Sequence, residues 1–242
     1  MGAQLALPGL PACSSTFDRW WEAPGEWVEE PNQRRDGESG VQRLRRADAG
    51  QPQLYCKRQR GHLYRSLAHP FGRPTALREY AALRAIERLG IRVPRVVYCA
   101  ARKQDGRWQA LLVSEALDGF VSLEDWYRGD PRATHGEALQ RDMLRSLART
   151  LARLHRAGWQ HGCLYPKHLF VRVHGTGGEA RVEIALLDLE KSRRRLLRQR
   201  ASHRDLSQLR RHTPGMPASD WALFEAEYRH ARHGAQEITD GF

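Results

Sequence analysis

The chain has 242 residues, of which 40% are hydrophobic, so it can bury a core as one large domain or as two small lobes that share a cleft. No apolar run approaches the ~18 residues that a membrane-spanning helix needs, and the proline-broken N-terminus is a poor secretory signal. The formal net charge of +12 attracts polyanions such as nucleic acid, anionic lipid head groups or phosphorylated glycans. Four scattered cysteines without a CxxC pair predict reduced thiols and a cytoplasmic location.

The first 27 residues show no periodic pattern. We expect an irregular segment there, anchored to the rest of the protein by Trp20, Trp21 and Trp27. Residues 34–60 predict three strands, of which the last is Leu54–Gln59.

Lys57 lies near the end of this third predicted strand, with Tyr55 on the same face and Cys56 on the opposite one. One interpretation is an edge-strand lysine that deters aggregation. The other is a lysine that pairs with phosphates beneath a glycine-containing lid at Gly37 and Gly40. The sequence therefore leaves both a structural and a ligand-binding role open for Lys57.

A helix is predicted over residues 74–89 and ends at Gly90. Glu79 lies beside its apolar stripe, which comprises Ala76, Tyr80, Leu83 and Ile86. A carboxylate that leans toward a core requires a cation. We therefore expect an ion pair between Glu79 and Lys57, with Glu87 as the alternative carboxylate.

Residues 93–98 and 108–115 predict two more strands, which gives a five-stranded sheet with one helix inserted after its third strand. The clearest helix covers about residues 136–157, where leucines and a methionine recur three and four positions apart. It leads directly into HGCLYPKH at residues 161–168, and a predicted β-hairpin then ends in Asp188.

A basic segment continues from Asp188 to Arg211 and is predicted to be helical. Its densest charge, at residues 191–200, is either a solvated helix face or a surface for anionic ligands. A last helix is predicted to begin at a cap formed by Ser219 or Asp220.

The order of these elements and the motif HGCLYPKH resemble the protein-kinase-like superfamily, and within it the lipopolysaccharide core kinases of Gram-negative bacteria (the heptose-kinase and InaA-like group). The resemblance covers about residues 34–230. Protein kinases carry His-Arg-Asp with Asn five residues after the Asp, and the lipopolysaccharide kinases have His at that Asn position. Here His161 matches the first His, Cys163 falls at the Asp position, and His168 lies five residues later.

The resemblance implies an α+β, two-lobed protein-kinase-like fold. An irregular segment (residues 1–27) would precede an N-terminal lobe with an antiparallel five-stranded sheet plus one helix (28–117) and a mostly helical C-terminal lobe (118–242).

It also implies the cofactors ATP and Mg²⁺ and a role for each matching residue. Lys57, oriented by Glu79, would pair with the ATP phosphates, and Gly37 and Gly40 would form the lid over them. The hinge, from Glu115 to Leu117, would hydrogen-bond adenine through its backbone.

In the C-terminal part, Asp188 and His168 would hold Mg²⁺, with Asp188 as a catalytic residue. His161 would support the catalytic loop together with Asp205, and Cys163 would face the acceptor. The implied partner is the lipopolysaccharide core or another anionic glycolipid, reached from the cytoplasm or by peripheral association with the inner membrane. The pattern gives no oligomeric state.

Cys163 departs from the family pattern, because a thiol accepts hydrogen bonds weakly and is uncharged unless its pKa is lowered. Two interpretations follow. One is an ATP-dependent kinase that phosphorylates an inner-core sugar, a heptose, of lipopolysaccharide. The other is a nucleotide-binding pseudokinase or scaffold in envelope biogenesis.

Two further classes are less consistent with the sequence. A zinc site made by His161, Cys163 and His168, with His155 or His174 as fourth ligand, lacks the usual paired cysteines. A nucleic-acid binder would depend on charge alone, since no recognition motif is present.

Overall fold

The structure, a computed structural model, describes residues 15–34, 37–45, 48, 50–175 and 179–233. Its contacts divide the chain into two units. The first comprises Met1–Ala81 and Pro94–Asp118, and the second comprises Ala82–Val93 and Gly119–Phe242, each as far as its residues are described. Among the described residues, no helix combines the length and the apolar character needed to cross a bilayer.

The described part of the first unit contains one whole helix, seven strands and the N-terminal half of a second helix, whose residues from Ala82 onward belong to the second unit. They are α1 (Thr16–Glu22), β1 (Gly25–Arg34), β2 (Gly37–Leu44), β3 (Leu54–Arg60), β4 (Leu63–Ser66), β5 (His69–Pro74), α2 (Thr75–Glu87), β6 (Val96–Gln104) and β7 (Arg107–Glu115). Five of the strands form an antiparallel sheet in the order β1-β2-β3-β7-β6, so the predicted five-stranded sheet is confirmed.

The start of this sheet differs from the prediction. Helix α1 begins after Ser15, whose Oγ accepts the Asp18 N–H at 3.2 Å while the Asp18 carboxylate accepts the Ser15 N–H at 3.3 Å. Strand β1 then begins at Gly25, so the expectation of an irregular segment up to residue 27 was wrong for these elements. Residues 34–60 contain two full strands rather than three. Most of β1 is solvent-exposed and it contains Pro31, so its sequence lacks the apolar alternation of a half-buried strand.

The two faces of the sheet carry different helices. Phe17 and Trp20 of α1 pack in one core cluster with Cys56, Leu111 and Val113 of the central strands. The residues that alternate with these on β3 face α2 instead, as the contacts below show. The predicted alternation along the third strand is therefore confirmed.

Helix α2 ends near Gly90, which has a φ of 70°. Three residues of its predicted apolar stripe, Ala76, Leu83 and Ile86, are buried. The prediction was wrong for Tyr80, which is 37% exposed, and Ala82, which was not predicted, is buried. The hairpin of β4 and β5, which precedes α2, was not predicted. Its residues are mostly exposed, so no apolar periodicity marks them in the sequence.

The second unit is mostly helical. Its described elements are β8 (Val121–Ser122), α3 (Leu123–Arg128), α4 (Pro131–Arg156), β9 (Trp159–Gln160), β10 (Leu169–His174), β11 (Arg181–Leu186), β12 (Arg193–Arg194), α5 (Arg198–His212) and α6 (Ala218–His233). The stripe predicted for α4 is fully buried, namely Met143, Leu144, Leu147, Leu151 and Leu154. The predicted hairpin after HGCLYPKH is the β10–β11 pair.

Two predictions about helix limits in this unit were wrong. The segment after Asp188 forms a 3-10 turn at Leu189–Lys191 and the short strand β12 before α5 begins. Helix α6 begins at Ala218, and the carboxylate of Asp220 is used elsewhere. It accepts hydrogen bonds from the Tyr127 hydroxyl at 3.0 Å and from Gln140 Nε2 at 2.7 Å.

Candidate active site

The ion pair predicted between Lys57 and Glu79 is present. Lys57 Nζ lies 2.6 Å from Glu79 Oε2, and the two side chains are only 16% and 7% exposed. The alternative carboxylate, Glu87, is paired instead with Arg84 at 3.4 Å. Because both side chains of the Lys57–Glu79 pair are largely shielded from solvent, the pair is held in one geometry.

Gln59, two residues after Lys57, connects the strand to the helix that carries Glu79. Its Oε1 accepts the Ala76 N–H at 2.9 Å, and its Nε2 donates to Thr75 Oγ1 at 2.8 Å. This side chain, 1% exposed, thus satisfies an N–H in the first turn of α2, where helices lack internal acceptors. The period-2 alternation of β3 is the only sequence signal for Gln59, and it does not distinguish this residue from its neighbours on the strand.

The residues assigned to the lid and hinge lie along the strands of the same unit. Gly37 and Gly40 are both within β2, and Gly37 pairs with Arg34 across a two-residue connection whose residues lie outside the described part. A Cβ on Gly40 would lie 2.7 Å from the Trp27 ring, so close packing explains this glycine. Glu115 ends β7 and its carboxylate accepts from Arg95 Nε at 2.7 Å. The half-buried Leu117 follows it.

Side chains of helix α5 form hydrogen bonds to the backbone of the motif at residues 161–168. Asp205, whose side chain is fully buried, accepts the His161 N–H at 2.7 Å and the Gly162 N–H at 3.0 Å. One turn further along the same helix face, Gln208 Oε1 accepts the Leu164 N–H at 2.9 Å. Three loop amides are therefore fixed by two side chains of α5.

A buried histidine extends this anchor. His155 Nε2 lies 3.2 Å from Asp205 Oδ2, and His155 Nδ1 lies 2.7 Å from the Tyr228 hydroxyl. Burial alone would raise the pKa of the Asp205 carboxyl, but the hydrogen bond and charge of His155 and the amides of Gly162 and His161 hold this pKa below its usual value. The carboxylate is thus kept ionised while fully buried.

His161 has its two ring nitrogens assigned by its neighbours. Nε2 lies 3.1 Å from the Leu187 carbonyl oxygen, which can only accept, so Nε2 carries the proton. Nδ1 then accepts the Cys163 N–H at 3.3 Å. Burial lowers the pKa of His161 to about 4, so the ring is neutral at physiological pH and has a structural role in the loop.

Gly162, which stands where the resemblance to kinases implies arginine, is required here for a local steric reason. Its φ is 82°, a region that favours glycine, and a Cβ there would lie 2.7 Å from the Lys191 carbonyl oxygen. The loop and the 3-10 turn after Asp188 therefore approach each other backbone to backbone. Ser192 Oγ strengthens this contact by donating to the His161 carbonyl oxygen at 2.9 Å.

Cys163 is 6% exposed, and its thiol remains protonated. Burial and then the charge of Asp188 raise the pKa of this thiol, while the nearby Lys191 ammonium acts in the opposite direction without cancelling them. A protonated thiol cannot remove a proton from an acceptor hydroxyl, so Cys163 does not supply the base that an aspartate would.

His168 and Asp188 are brought together at the root of the β10–β11 hairpin. Leu169 pairs with Leu186, and the Leu187 N–H donates to the His168 carbonyl oxygen at 2.9 Å. As a result, His168 Nε2 lies 3.6 Å from Asp188 Oδ2. Asp188 has a φ of 56°, a left-handed conformation that is uncommon for a residue with a side chain and is enriched at functional sites.

The other nitrogen of His168 determines what this pair can bind. His168 Nδ1 lies 2.8 Å from the Cys163 carbonyl oxygen and must donate to it. In the neutral ring, Nε2 is then an acceptor that faces the Asp188 carboxylate. The carboxylate oxygen and the ring nitrogen, 3.6 Å apart, are two groups that could bind one cation, and a carboxylate oxygen is the kind of ligand that Mg²⁺ prefers.

The zinc alternative does not fit the geometry. His161 uses both ring nitrogens, and His155 does the same toward Asp205 and Tyr228. Within the described part of the chain, no cluster of three or more His, Cys, Asp or Glu side chains could hold a metal ion.

Comparison with known proteins agrees with these features. The model of the lipopolysaccharide kinase (Kdo/WaaP) family matches residues 18–228. Protein InaA of Escherichia coli (strain K12) is 42% identical over 212 residues, which cover 88% of this chain and 94% of that protein.

A solved structure of WaaP in complex with acyl carrier protein matches with a TM-score of 0.67 at 21% identity, covering 89% of this chain and 83% of that chain. At this identity the match concerns the fold alone, and it confirms the predicted α+β, protein-kinase-like fold. The family model spans most of the sequence, so the chain belongs to the lipopolysaccharide kinase (Kdo/WaaP) family.

Proposed function

We propose that this protein binds Mg-ATP and transfers the γ-phosphoryl group to a hydroxyl of a lipopolysaccharide inner-core sugar, a heptose. The observation that carries the proposal is the buried ion pair of Lys57 with Glu79. A lysine ammonium has three N–H donors, so one that a carboxylate orients can also donate to phosphate oxygens. Kinases place such a pair at the α- and β-phosphates.

The remaining roles follow from the contacts of each residue. Asp188 and His168 would hold Mg²⁺, which would supply positive charge to offset the negative charge of the phosphates. Asp205 positions the loop through its amides. Because Arg95 occupies the Glu115 carboxylate, the hinge would contact adenine through the backbone of Glu115 and Leu117.

The transfer itself needs little covalent help from the protein. The acceptor oxygen bonds to the γ-phosphorus, the bond from that phosphorus to the β–γ bridging oxygen breaks, and ADP leaves with the electron pair. The hydroxyl proton passes to solvent or to the transferred phosphoryl group, because the Cys163 thiol already holds a proton. Positioning and electrostatic stabilisation carry most of such a reaction, so the missing base lowers the rate by about 10²–10⁴-fold without abolishing it.

The substrate class is supported by the family, whose description names lipopolysaccharide. The formal charge of +12 also suits an acceptor that carries phosphate groups. We place the reaction at the cytoplasmic face of the inner membrane, where such an acceptor would be accessible to a protein with reduced cysteines.

A second candidate function is a nucleotide-binding protein without transferase activity. The buried, protonated thiol of Cys163 favours it, because an acceptor-orienting carboxylate is absent from that position. Nucleotide binding by Lys57, Glu79 and Asp188 is common to both candidates, so binding and transfer must be measured separately.

Nucleotide binding is tested by thermal stability in the presence of Mg-ATP. At about 100 times the Kd, binding adds about 2.7 kcal/mol, which raises the Tm of a chain of this size by roughly 5–11 °C. Lys57→Met should remove the increase in Tm. The control Lys103→Met, which alters a lysine on β6 that lies over the Trp108 ring of β7, should retain the increase. An equal increase in both variants would contradict the role of Lys57.

Transfer is tested with labelled ATP and dephosphorylated core oligosaccharide. Label that appears in the sugar with wild type and is lost with Asp188→Ala supports the kinase. Stabilisation by nucleotide without any transfer supports the nucleotide-binding protein that lacks transferase activity. Cys163→Asp should raise transfer by about 10²-fold if residue 163 faces the acceptor, and Cys163→Ser, which adds no base, serves as the matched control.

A further inference from the structure

The β4–β5 hairpin protrudes from the first unit. Its base is fixed by two backbone hydrogen bonds, from the Gly61 N–H to the Trp108 carbonyl oxygen at 2.8 Å and from the Thr75 N–H to the His62 carbonyl oxygen at 3.1 Å. Above this base the two strands pair only with each other and form a separate two-stranded sheet. Between residues 63 and 73, all but three residues are exposed.

The hairpin carries two large apolar side chains that are almost fully exposed to solvent. Leu67, in the turn, is 104% exposed, and Phe71, on β5, is 93% exposed. Leu63 is also exposed, at 39%, and its side chain covers Gly72. Because Leu67 and Phe71 bury almost no surface, they do not stabilise the hairpin, although an isolated two-stranded hairpin is only marginally stable in water.

The segment of chain that contains the hairpin carries charge of one sign. No Asp or Glu occurs between Asp48 and Glu79, although six Lys or Arg residues do. Arg65 on β4 and Arg73 on β5 are both exposed. Arg73 pairs with Tyr64 near the base of the hairpin, and its guanidinium lies 3.3 Å from His69 Nε2. Within the part of the chain that the structure describes, neither arginine forms an ion pair with a carboxylate.

We propose that the β4–β5 hairpin is a membrane-docking element that inserts Leu67 and Phe71 into the head-group region of an anionic phospholipid surface. Arg65 and Arg73 then bind lipid phosphates. A narrow, convex element with an apolar tip and basic flanks suits a bilayer, which can open around it, better than a folded protein, which would need a matching groove. The proposal deepens the membrane location in the proposed function but does not depend on phosphoryl transfer.

The test is co-sedimentation with vesicles of phosphatidylcholine, with and without phosphatidylglycerol. Wild type should bind the mixed vesicles and bind pure phosphatidylcholine at least about 10-fold more weakly, since each basic residue near an anionic surface is worth about 5-fold. The variant L67S/F71S should bind mixed vesicles at least about 10-fold more weakly, because two large apolar side chains no longer leave water.

The chain provides a matched control in a second basic segment. Leu196 and Leu197 are 101% and 58% exposed between arginines, so L196S/L197S removes the same kind of side chain elsewhere. This control should bind within about 2-fold of wild type, and neither variant should change the Tm by more than about 2 °C, since the altered residues are exposed. If the control loses as much binding as L67S/F71S, the hairpin is not the docking element.

Two other results would overturn the proposal. One is equal binding of wild type to neutral and anionic vesicles. The other is unchanged vesicle binding by L67S/F71S together with lost retention on immobilised polyglutamate, which would assign the hairpin to an acidic protein. Vesicle binding is measured without nucleotide and repeated with Lys57→Met, so failure of the kinase proposal leaves this test intact.

Discussion

Replacement of Asp205 by Asn tests whether helix α5 positions the catalytic loop. Asn keeps the shape of the side chain but offers one acceptor oxygen where the carboxylate has two. If that oxygen keeps the His161 N–H, the new NH₂ group faces the N–H of Gly162, which loses its acceptor. An unsatisfied buried N–H costs about 1–3 kcal/mol, and the remaining bonds lose their charge assistance.

We expect the free energy of unfolding to fall by about 3 kcal/mol, which corresponds to a Tm lower by roughly 6–12 °C for a chain of this size. The matched control is Asp142→Asn, because Asp142 is half-exposed on α4 and its carboxylate pairs with the half-exposed Arg145 at 3.3 Å. A surface pair of this kind is worth about 0–1 kcal/mol, so the control should lower the Tm by less than about 4 °C.

Amide hydrogen exchange distinguishes a positioning role from a general loss of stability. In D205N, the amides of His161 and Gly162 should exchange faster than those of α4 residues such as Leu147, after correction for global unfolding. Equal protection of the loop amides in wild type and D205N, with an unchanged Tm, would refute the anchoring role of Asp205.

Three more predictions follow from single contacts. Gly162→Ala should lower stability by about 2 kcal/mol or more, measured by urea unfolding, because its φ is positive and a Cβ meets the Lys191 backbone; an unchanged midpoint would contradict this close approach. Gln59→Leu leaves the Ala76 N–H without its acceptor and should cost about 1–3 kcal/mol in the same assay, and a smaller loss would mean that water replaces the amide. His161, with its pKa lowered from 6.5 to about 4 by burial, binds its proton more readily when unfolded, so stability should fall as the pH drops from about 6.5 to about 4. The expected loss over this window is about 3 kcal/mol relative to His161→Gln, and parallel pH profiles of the two proteins would refute it.

The sequence alone determined the parts of this protein that depend on periodicity and order. The alternation of β3 set Cys56 and Lys57 on opposite faces, because successive strand residues point to opposite sides of a sheet. The leucine stripe of α4 identified its buried face for the corresponding reason in a helix. The spacing from His161 to His168 and on to Asp188 located the loop and the hairpin that follows it.

Tertiary structure decided what depends on a partner distant in the chain. Gln59 satisfies the start of α2, and Gly162 is required by the Lys191 backbone; neither contact has a local pattern that could reveal it. The exposed strand β1 and the β4–β5 hairpin lack apolar alternation, so their existence depends on pairing between strands. The protonation of Cys163 was likewise open from the sequence, because burial and the charges of Asp188 and Lys191 arise only when the hairpin and the 3-10 turn fold against the loop.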